Sequence, residues 1–279
     1  MLRMIYSGEW LMHLWLIGFV ASAIVIAFST GFLRAHKIQP RGFKWKQLGF
    51  EALVAVIGGY VTAFILGNAN RLLTSYGFIA FDNAPVAWWR AAIEYAAYFF
   101  LFDTWFYWLH RGMHKEPFYS LIHKIHHKST SPNLLTTVSV NPLESVINGG
   151  FVPIFLTVMT LVGHPVGAVA AALILPTNIV MGLYVHAGFE FLPRWWHKSW
   201  ATKWFITSTF HDQHHKFFNW NFGGYTTIWD RICGTTRAKF ETDYDKICDR
   251  RAEWWRKLFA RKPSSALSPV NAIADAEAM

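Results

Sequence analysis

The chain has 279 residues, of which 53% are hydrophobic and 15% charged, with a mean hydropathy of +0.21. A soluble domain carries about 25% charged residues, so this composition excludes an ordinary soluble protein. Two cysteines exclude a disulfide framework and a cysteine-ligated iron–sulfur cluster, and the net charge of +9 follows a membrane face without requiring nucleic acid.

Taken in chain order, apolar stretches long enough to span occur at 10–33, 50–70, 87–109, 144–162 and 165–186. A span needs about 20 residues. The first stretch exceeds the usual signal-peptide core of about 7–15 apolar residues, so it is expected to stay as an anchor. These stretches predict an all-α integral membrane protein with four to five transmembrane helices. Three parts are expected: N-terminal membrane helices over 1–86, a histidine-bearing central region over 87–240, and a basic amphipathic segment with a disordered tail over 241–279. Fifteen tryptophans agree with membrane–water boundaries.

Loop charge orients the spans. Arg34, Lys37, Arg41, Lys44 and Lys46 follow the first stretch and place that loop in the cytoplasm. The third span then returns to the cytoplasm at His110. The fourth and fifth form a hairpin turning at Gly163-His164-Pro165 on the far side. Segment 187–279 carries fourteen Lys and Arg and is expected to be cytoplasmic. The host membrane would be a bacterial inner membrane or the endoplasmic reticulum.

Within that segment, the tryptophans and lysines of 193–204 predict an interfacial amphipathic helix. Residues 250–257 predict a second.

Nine of the thirteen histidines follow one spacing scheme. They are His110 and His114, then His123, His126 and His127, then His186, then His211, His214 and His215. Helical residues at i, i+3 and i+4 share a face, so each cluster can aim two or three imidazoles at one point. Phe118–Lys128 is expected as a helix with His123, His126 and His127 on one stripe. All nine fall on the cytoplasmic side, whereas His164 falls on the other and is removed as a ligand. His13 and His36 lie away from the clusters, and His197 sits in the tryptophan-rich interfacial segment.

A solvated helix face is normally Lys and Glu, so these clusters point to metal ligation. Nine neutral nitrogens exceed one ion's capacity and suit two. Acids and amides nearby are candidates for support. Glu144 is expected to hold a ligand histidine. Asp103 lies about 10 Å deeper than His110 and would line a cavity or hold a histidine from elsewhere. Asn178 is a cavity or helix–helix polar group, and Glu190 either ligates or orients.

Nitrogen-rich sites suit Zn, Cu, Fe and Ni. The sequence lacks His-Glu-x-x-His, which weakens a membrane zinc hydrolase, and its apolar spans weaken a metal transporter or storage protein. A histidine cluster at the membrane face suits two iron ions that activate O2 against a lipid C–H bond.

The motifs carry a family resemblance. His110-Arg111-x-x-His114, His123-x-x-His126-His127 and His211-x-x-His214-His215 resemble the three histidine boxes of the fatty acid hydroxylase/sterol desaturase superfamily. The lead-in Asp103-Thr104-Trp105-Phe106-Tyr107-Trp108-Leu109 is also similar. The run from Phe218 through Asn221-Phe222-Gly223-Gly224-Tyr225 to Asp230-Arg231-Ile232 resembles the sterol C5-desaturase branch. The resemblance covers residues 95–237. Departures are Asn141-Pro142, where many relatives have His-Pro, and Glu190, where fatty-acid 2-hydroxylases carry a further histidine.

The resemblance implies a non-haem di-iron oxidoreductase that hydroxylates or desaturates a lipid, sterol-like or fatty-acyl, with O2 as cosubstrate. An alkyl-lipid or fatty-acid hydroxylase is the alternative within the family. This sequence holds no cytochrome b5 signature and no dinucleotide-binding glycine motif. An external donor is therefore expected, of cytochrome b5 or ferredoxin type with its reductase.

Overall fold

The computed structural model describes residues 32–40 and 44–260. The expected first span, apart from its last two residues, lies outside the described residues, as do His13 and the tail beyond 263. The described chain is helical: α1 (Phe32–His36), α2 (Trp45–Ser75), α3 (Trp88–Met113), α4 (Pro142–Gly149), α5 (Phe151–Leu161), α6 (Ala168–Val185), α7 (Ser208–Phe217), α8 (Ile228–Ile232) and α9 (Phe240–Phe259).

Among the described residues, three helices are long and apolar enough to cross a membrane: α2, the near-continuous α4–α5 run from Pro142 to Leu161, and α6. Helix α3 has the length, at 26 residues, but carries Arg90, Glu94, Asp103 and Arg111. Two of these charges settle locally, since Arg90 pairs with Asp82 and, at 2.7 Å, with Glu94.

The hairpin between α5 and α6 turns where the sequence places it. Gly163 has φ +79°, a conformation that costs a residue with a Cβ dearly, and exposed His164 follows it. The hairpin also contributes to the only two-stranded ribbon among the described residues. Phe81 and Asp82 form a two-residue strand, β1, pairing in parallel with Val166–Gly167, β2. This ribbon ties the connection between α2 and α3 to the one between α5 and α6.

The membrane core is aromatic. Tyr98 and Phe102 of α3 pack on Phe155 and Leu156 of α5, on Ala170 and Ile174 of α6, and on Tyr225 from the distant cap. Helices α2 and α4 approach closely, and a Cβ at Gly149 would lie 2.7 Å from Leu66 Cδ1. A second cluster, built on Val185, Ile206, Phe210, Phe240 and Tyr244, joins the end of α6 to α7 and α9.

Two segments differ from the sequence-based reading. Residues 118–128 are not one α-helix. Tyr119–His123 form a π-helical turn closed by Lys124 N–H donating to the Tyr119 carbonyl at 2.8 Å, and His126–Lys128 form a short 3-10 turn. Packing of His123, His126 and His127 inward overrides the local helix period. Residues 193–204 form successive turns rather than a helix, with Trp200 82% exposed. The basic amphipathic helix expected at 250–257 is present as the end of the longer α9.

Glu51 of α2, buried in the bundle, holds the segment that leaves the second histidine cluster. Its carboxylate accepts from Asn133 Nδ2 at 2.6 Å, from Gln47 Nε2 at 2.7 Å and from the Ser129 hydroxyl. Glu51→Ala strips an acceptor from buried donors and is expected to cost about 1–3 kcal/mol. The check is a lowered thermal-unfolding midpoint in detergent relative to the parent.

Candidate metal centre

Four separate segments deliver the nine histidines. His110 and His114 come from the last turn of α3 and its cap. His123 ends the π-helical turn, and His126 and His127 begin the 3-10 turn. His186 caps the C-terminus of α6. His211, His214 and His215 line one side of α7.

Helix α7 is unusual because residues 208–215 are all buried although seven of the eight are polar. Polar side chains go inside only when something inside satisfies them.

Its start is held from two sides. The Thr207 hydroxyl accepts from Phe210 N–H, and the buried Glu190 carboxylate accepts from Thr209 N–H at 3.1 Å and from its hydroxyl at 2.8 Å. An acid at a helix N-terminus satisfies free N–H groups and complements the dipole. Asp212 of the same helix accepts from Gln39 Nε2 at 2.9 Å, joining α7 to the segment after α1.

The imidazoles gather into two groups. His110, His114, His123, His127 and His214 form one; His126, His186, His211 and His215 form the other. Within each group the candidate donor atoms lie within 4.8 Å of one another. His164 and His197 belong to neither. His197 instead faces Asp245 at 3.2 Å.

The outer ring nitrogens fix the tautomers. His110 Nδ1 donates to the Phe222 carbonyl, His214 Nδ1 to the Trp220 carbonyl and His186 Nδ1 to the Gly182 carbonyl, each at 2.8 Å. His123 Nδ1 donates to Glu144 Oε1 at 2.9 Å. A carbonyl can only accept, so His110, His214 and His186 carry their proton on Nδ1 and turn a bare Nε2 lone pair inward; an ionised Glu144 sets His123 the same way.

The inward nitrogens are close. His110 Nε2 and His123 Nε2 are 3.1 Å apart, His127 and His214 are 3.0 Å, His114 and His214 are 3.2 Å, and His186 lies 3.0 Å from His211 and 3.4 Å from His126. Two lone pairs facing at 3.1 Å, as in His110 and His123, repel unless a cation sits between them.

Nitrogens bound about 2.1 Å from one ion are about 3.0 Å apart at right angles and about 3.4 Å apart at tetrahedral angles. The observed spacings fall on those edges. His215, fully buried, has no hydrogen-bond partner at either ring nitrogen. An orphaned buried polar atom costs about 1–3 kcal/mol, and ligation would remove that cost. The donor set therefore fits two metal ions, one for each group.

Electrostatics agree. Burial, then neighbouring imidazoles, hold His123, His126, His127, His211, His214 and His215 well below the ordinary imidazole range. Burial lowers His186 to about 4. Neutral imidazole is the form that binds metal.

The other sequence candidates take distinct places. Glu144 holds His123. Glu190 stands in neither histidine group and positions α7. Asp103 bonds backbone and hydroxyl donors of the cap, and no histidine ring among the described residues. It accepts from Tyr225 N–H and Thr226 N–H, each at 2.9 Å, and from the Thr226 hydroxyl, so it pins the cap strand onto α3. Asn178 accepts from Tyr98 Oη at 2.9 Å and from the Tyr225 hydroxyl, tying α6 to α3 and to the cap.

Sequence reasoning missed Asp230. Its carboxylate accepts from Phe222 N–H at 2.9 Å, Gly223 N–H at 2.7 Å and the Thr235 hydroxyl at 2.7 Å. It thereby fixes the Phe222 carbonyl that orients His110. Buried Asn221, at φ +62°, bonds Phe210 O and Arg237 N–H in the same loop. The available signal was an acid eight residues after Phe222 in the loop that follows the third histidine cluster, which spacing alone does not mark.

A helical membrane bundle capped by two groups of buried, metal-ready histidines defines the class. The chain belongs to the fatty acid hydroxylase family, whose profile matches residues 95–235, and hence to the fatty acid hydroxylase/sterol desaturase superfamily. All nine histidines fall inside that stretch.

The chain is 33% identical over 216 residues to the C-4 methylsterol oxidase of Schizosaccharomyces pombe, covering 73% of this chain and 67% of that one. It is 28% identical to rat methylsterol monooxygenase 1, covering 73% and 68%. It is 31% identical over 152 residues to mouse lathosterol oxidase, covering 54% and 47%. No solved structure matches.

Two predictions follow from this geometry. His127→Ala and His215→Ala are each expected to lose bound metal, measured by elemental analysis of the purified protein, while His164→Ala keeps it. Glu144→Gln is expected to weaken metal binding about 10–100-fold.

The depressed imidazoles also set a pH dependence for the metal-free protein. Unfolding releases them to about 6.5, so the unfolded state takes up protons first and stability is lost as pH falls below that value. The loss should continue down to the folded-state values, read as falling melting midpoints of chelator-treated protein.

Proposed function

We propose that this chain is a membrane-bound non-haem di-iron oxidoreductase that uses O2 and electrons from an external donor to oxidise a lipid C–H bond. The observation that carries the reading is the pair of all-histidine groups whose Nε2 atoms stand at the spacing of ligands around an ion. His110, His114, His123, His127 and His214 would hold one iron, and His126, His186, His211 and His215 the other. Residues 87–240 would form the catalytic unit.

When bound, two iron ions supply the oxidising power that an unreactive C–H bond requires. The chain's residues supply position and dryness. Glu144 and the carbonyls of Phe222, Trp220 and Gly182 fix the rings, so the donor atoms need no reorganisation on binding. Glu190 and Asp230 fix the segments that carry those rings. Burial of the cluster excludes bulk water from the reaction.

The lipid is read as sterol-like. Relatives named for methylsterol oxidation align over nearly three quarters of the chain, which favours oxygen insertion at a sterol. The alignment to lathosterol oxidase is shorter. Neither histidine group contains a carboxylate to act as a hydrolytic base, which counts against a zinc hydrolase among the described residues. The donor would be of cytochrome b5 or ferredoxin type with its reductase, reaching a cluster on the cytoplasmic face.

Lipid mass spectrometry of cells with and without the protein tests this. A product heavier by one oxygen is expected, whereas loss of two hydrogens would assign desaturation. Purified protein that contains zinc but no iron and works without oxygen would overturn the reading.

A further inference from the structure

The sequence marks 193–204 as interfacial, yet the segment is not an amphipathic helix and has no place in the metal chemistry. Its neighbours explain it. Lys203 lies over the Trp204 ring at 4.8 Å, and Arg231 of α8 lies over the same ring at 5.7 Å. Arg231 also donates to the Lys203 carbonyl at 3.2 Å. Helix α8 continues the surface: Trp229 stands edge-on to Trp108 of α3 at 5.6 Å, and Arg111 lies over Trp108 at 5.8 Å.

Arg111, Lys203 and Arg231 thus bond only to aromatic faces and neutral oxygens, and none has a carboxylate partner among the described residues. Trp108, Trp204, Phe205 and Ile232 are exposed beside them. Exposed aromatic rings interleaved with unneutralised cations suit an anionic headgroup layer, where rings sit in the boundary and cations meet phosphate.

Helix α3 sets the level of this collar independently. Trp89, Ile93, Phe100, Leu101 and Trp108 are exposed and fall within about 120° of one another around the helix. The apolar stripe ends at Trp108, one turn before Arg111. Its two tryptophan ends, Trp89 and Trp108, are nineteen residues apart, or about 28 Å along the axis, against a hydrocarbon core of about 30 Å.

We infer that α3, despite its four charges, spans the bilayer between these tryptophans. The collar of Trp108, Trp204, Lys203, Arg231 and Ile232 then seats on anionic lipid headgroups of the cytoplasmic leaflet. This rests on the proposed membrane topology but not on the proposed chemistry. It puts His110, two residues past Trp108, at headgroup height rather than out in the cytoplasm.

The test uses the full chain in nanodiscs of phosphatidylcholine, with and without phosphatidylglycerol. In a Cys233→Ser background, nitroxide labels are placed by Ile232→Cys, by Trp200→Cys and, as a water-facing control, by Lys246→Cys. Residues 200 and 232 are exposed, so folding is preserved, and metal content verifies it.

Labels at 200 and 232 are expected to collide with O2 more than with a water-soluble nickel chelate, and the label at 246 the reverse. Lys203→Gln with Arg231→Gln should move the label at 232 towards water in the phosphatidylglycerol discs and leave it unchanged in phosphatidylcholine alone. Labels at 200 and 232 as open to nickel as 246 would overturn the collar. Shielding from both reagents would assign the surface to a second copy of the chain and overturn it too. An identical depth in both lipids, with and without the cations, would overturn the anionic preference. Turnover is not read, so failure here is distinct from failure of the di-iron assignment.

Discussion

The structure depends on holding neutral imidazoles with their lone pairs turned towards each other. His110 and His123 face at 3.1 Å with both Nδ1 protons committed elsewhere. No such pair is stable alone. Its repulsion is contained because the rest of the cap is tied down by groups that cannot easily give. Glu51 holds the second cluster's exit, Glu190 holds the start of α7, and Asp230 holds the loop that orients His110. Each of these acids is buried, and each spends its oxygens on N–H and O–H donors rather than on the histidine groups. The fold separates the labour: histidines face inward as ligands-in-waiting, and carboxylates stand behind them as fasteners.

Membrane and cap are not separate layers. Asp103 lies in the long helix α3 and Asn178 in α6, yet both bond residues of the loop after α7. Tyr225 of that loop sits in the aromatic core of the bundle between Phe99 and Phe102. A shift of one spanning helix therefore reaches the segment whose carbonyls orient His110 and His214.

The parts legible in the sequence were those governed by short-range period. The i, i+3, i+4 spacing of His211, His214 and His215 is a helix face, and α7 is that helix. Long apolar runs marked the spans, and Glu144 stood out as an acid within one. The illegible parts depend on long-range contacts. Gln39 meets Asp212 across 173 residues, and Asp103 meets Thr226 across 123. Nothing local in either partner announces the other. The π-helical turn at Tyr119–His123 escaped because a uniform 100° step was assumed where burial of the imidazoles imposes a wider turn. The turns at 193–204 escaped because composition reports where a segment sits, not what shape it takes.

Solvent reaches the nine rings unequally. His114 is half-buried, whereas the other eight are all buried and His214 and His215 are wholly enclosed. An ion in either group could leave only after part of the cap had opened, and α7 is fastened at its start by Thr207 and Glu190. Occupancy would then be governed by the rate of opening rather than by the strength of each bond. The centre would be filled while the chain folds, exchange slowly afterwards, and keep whichever metal the cell supplied at that moment.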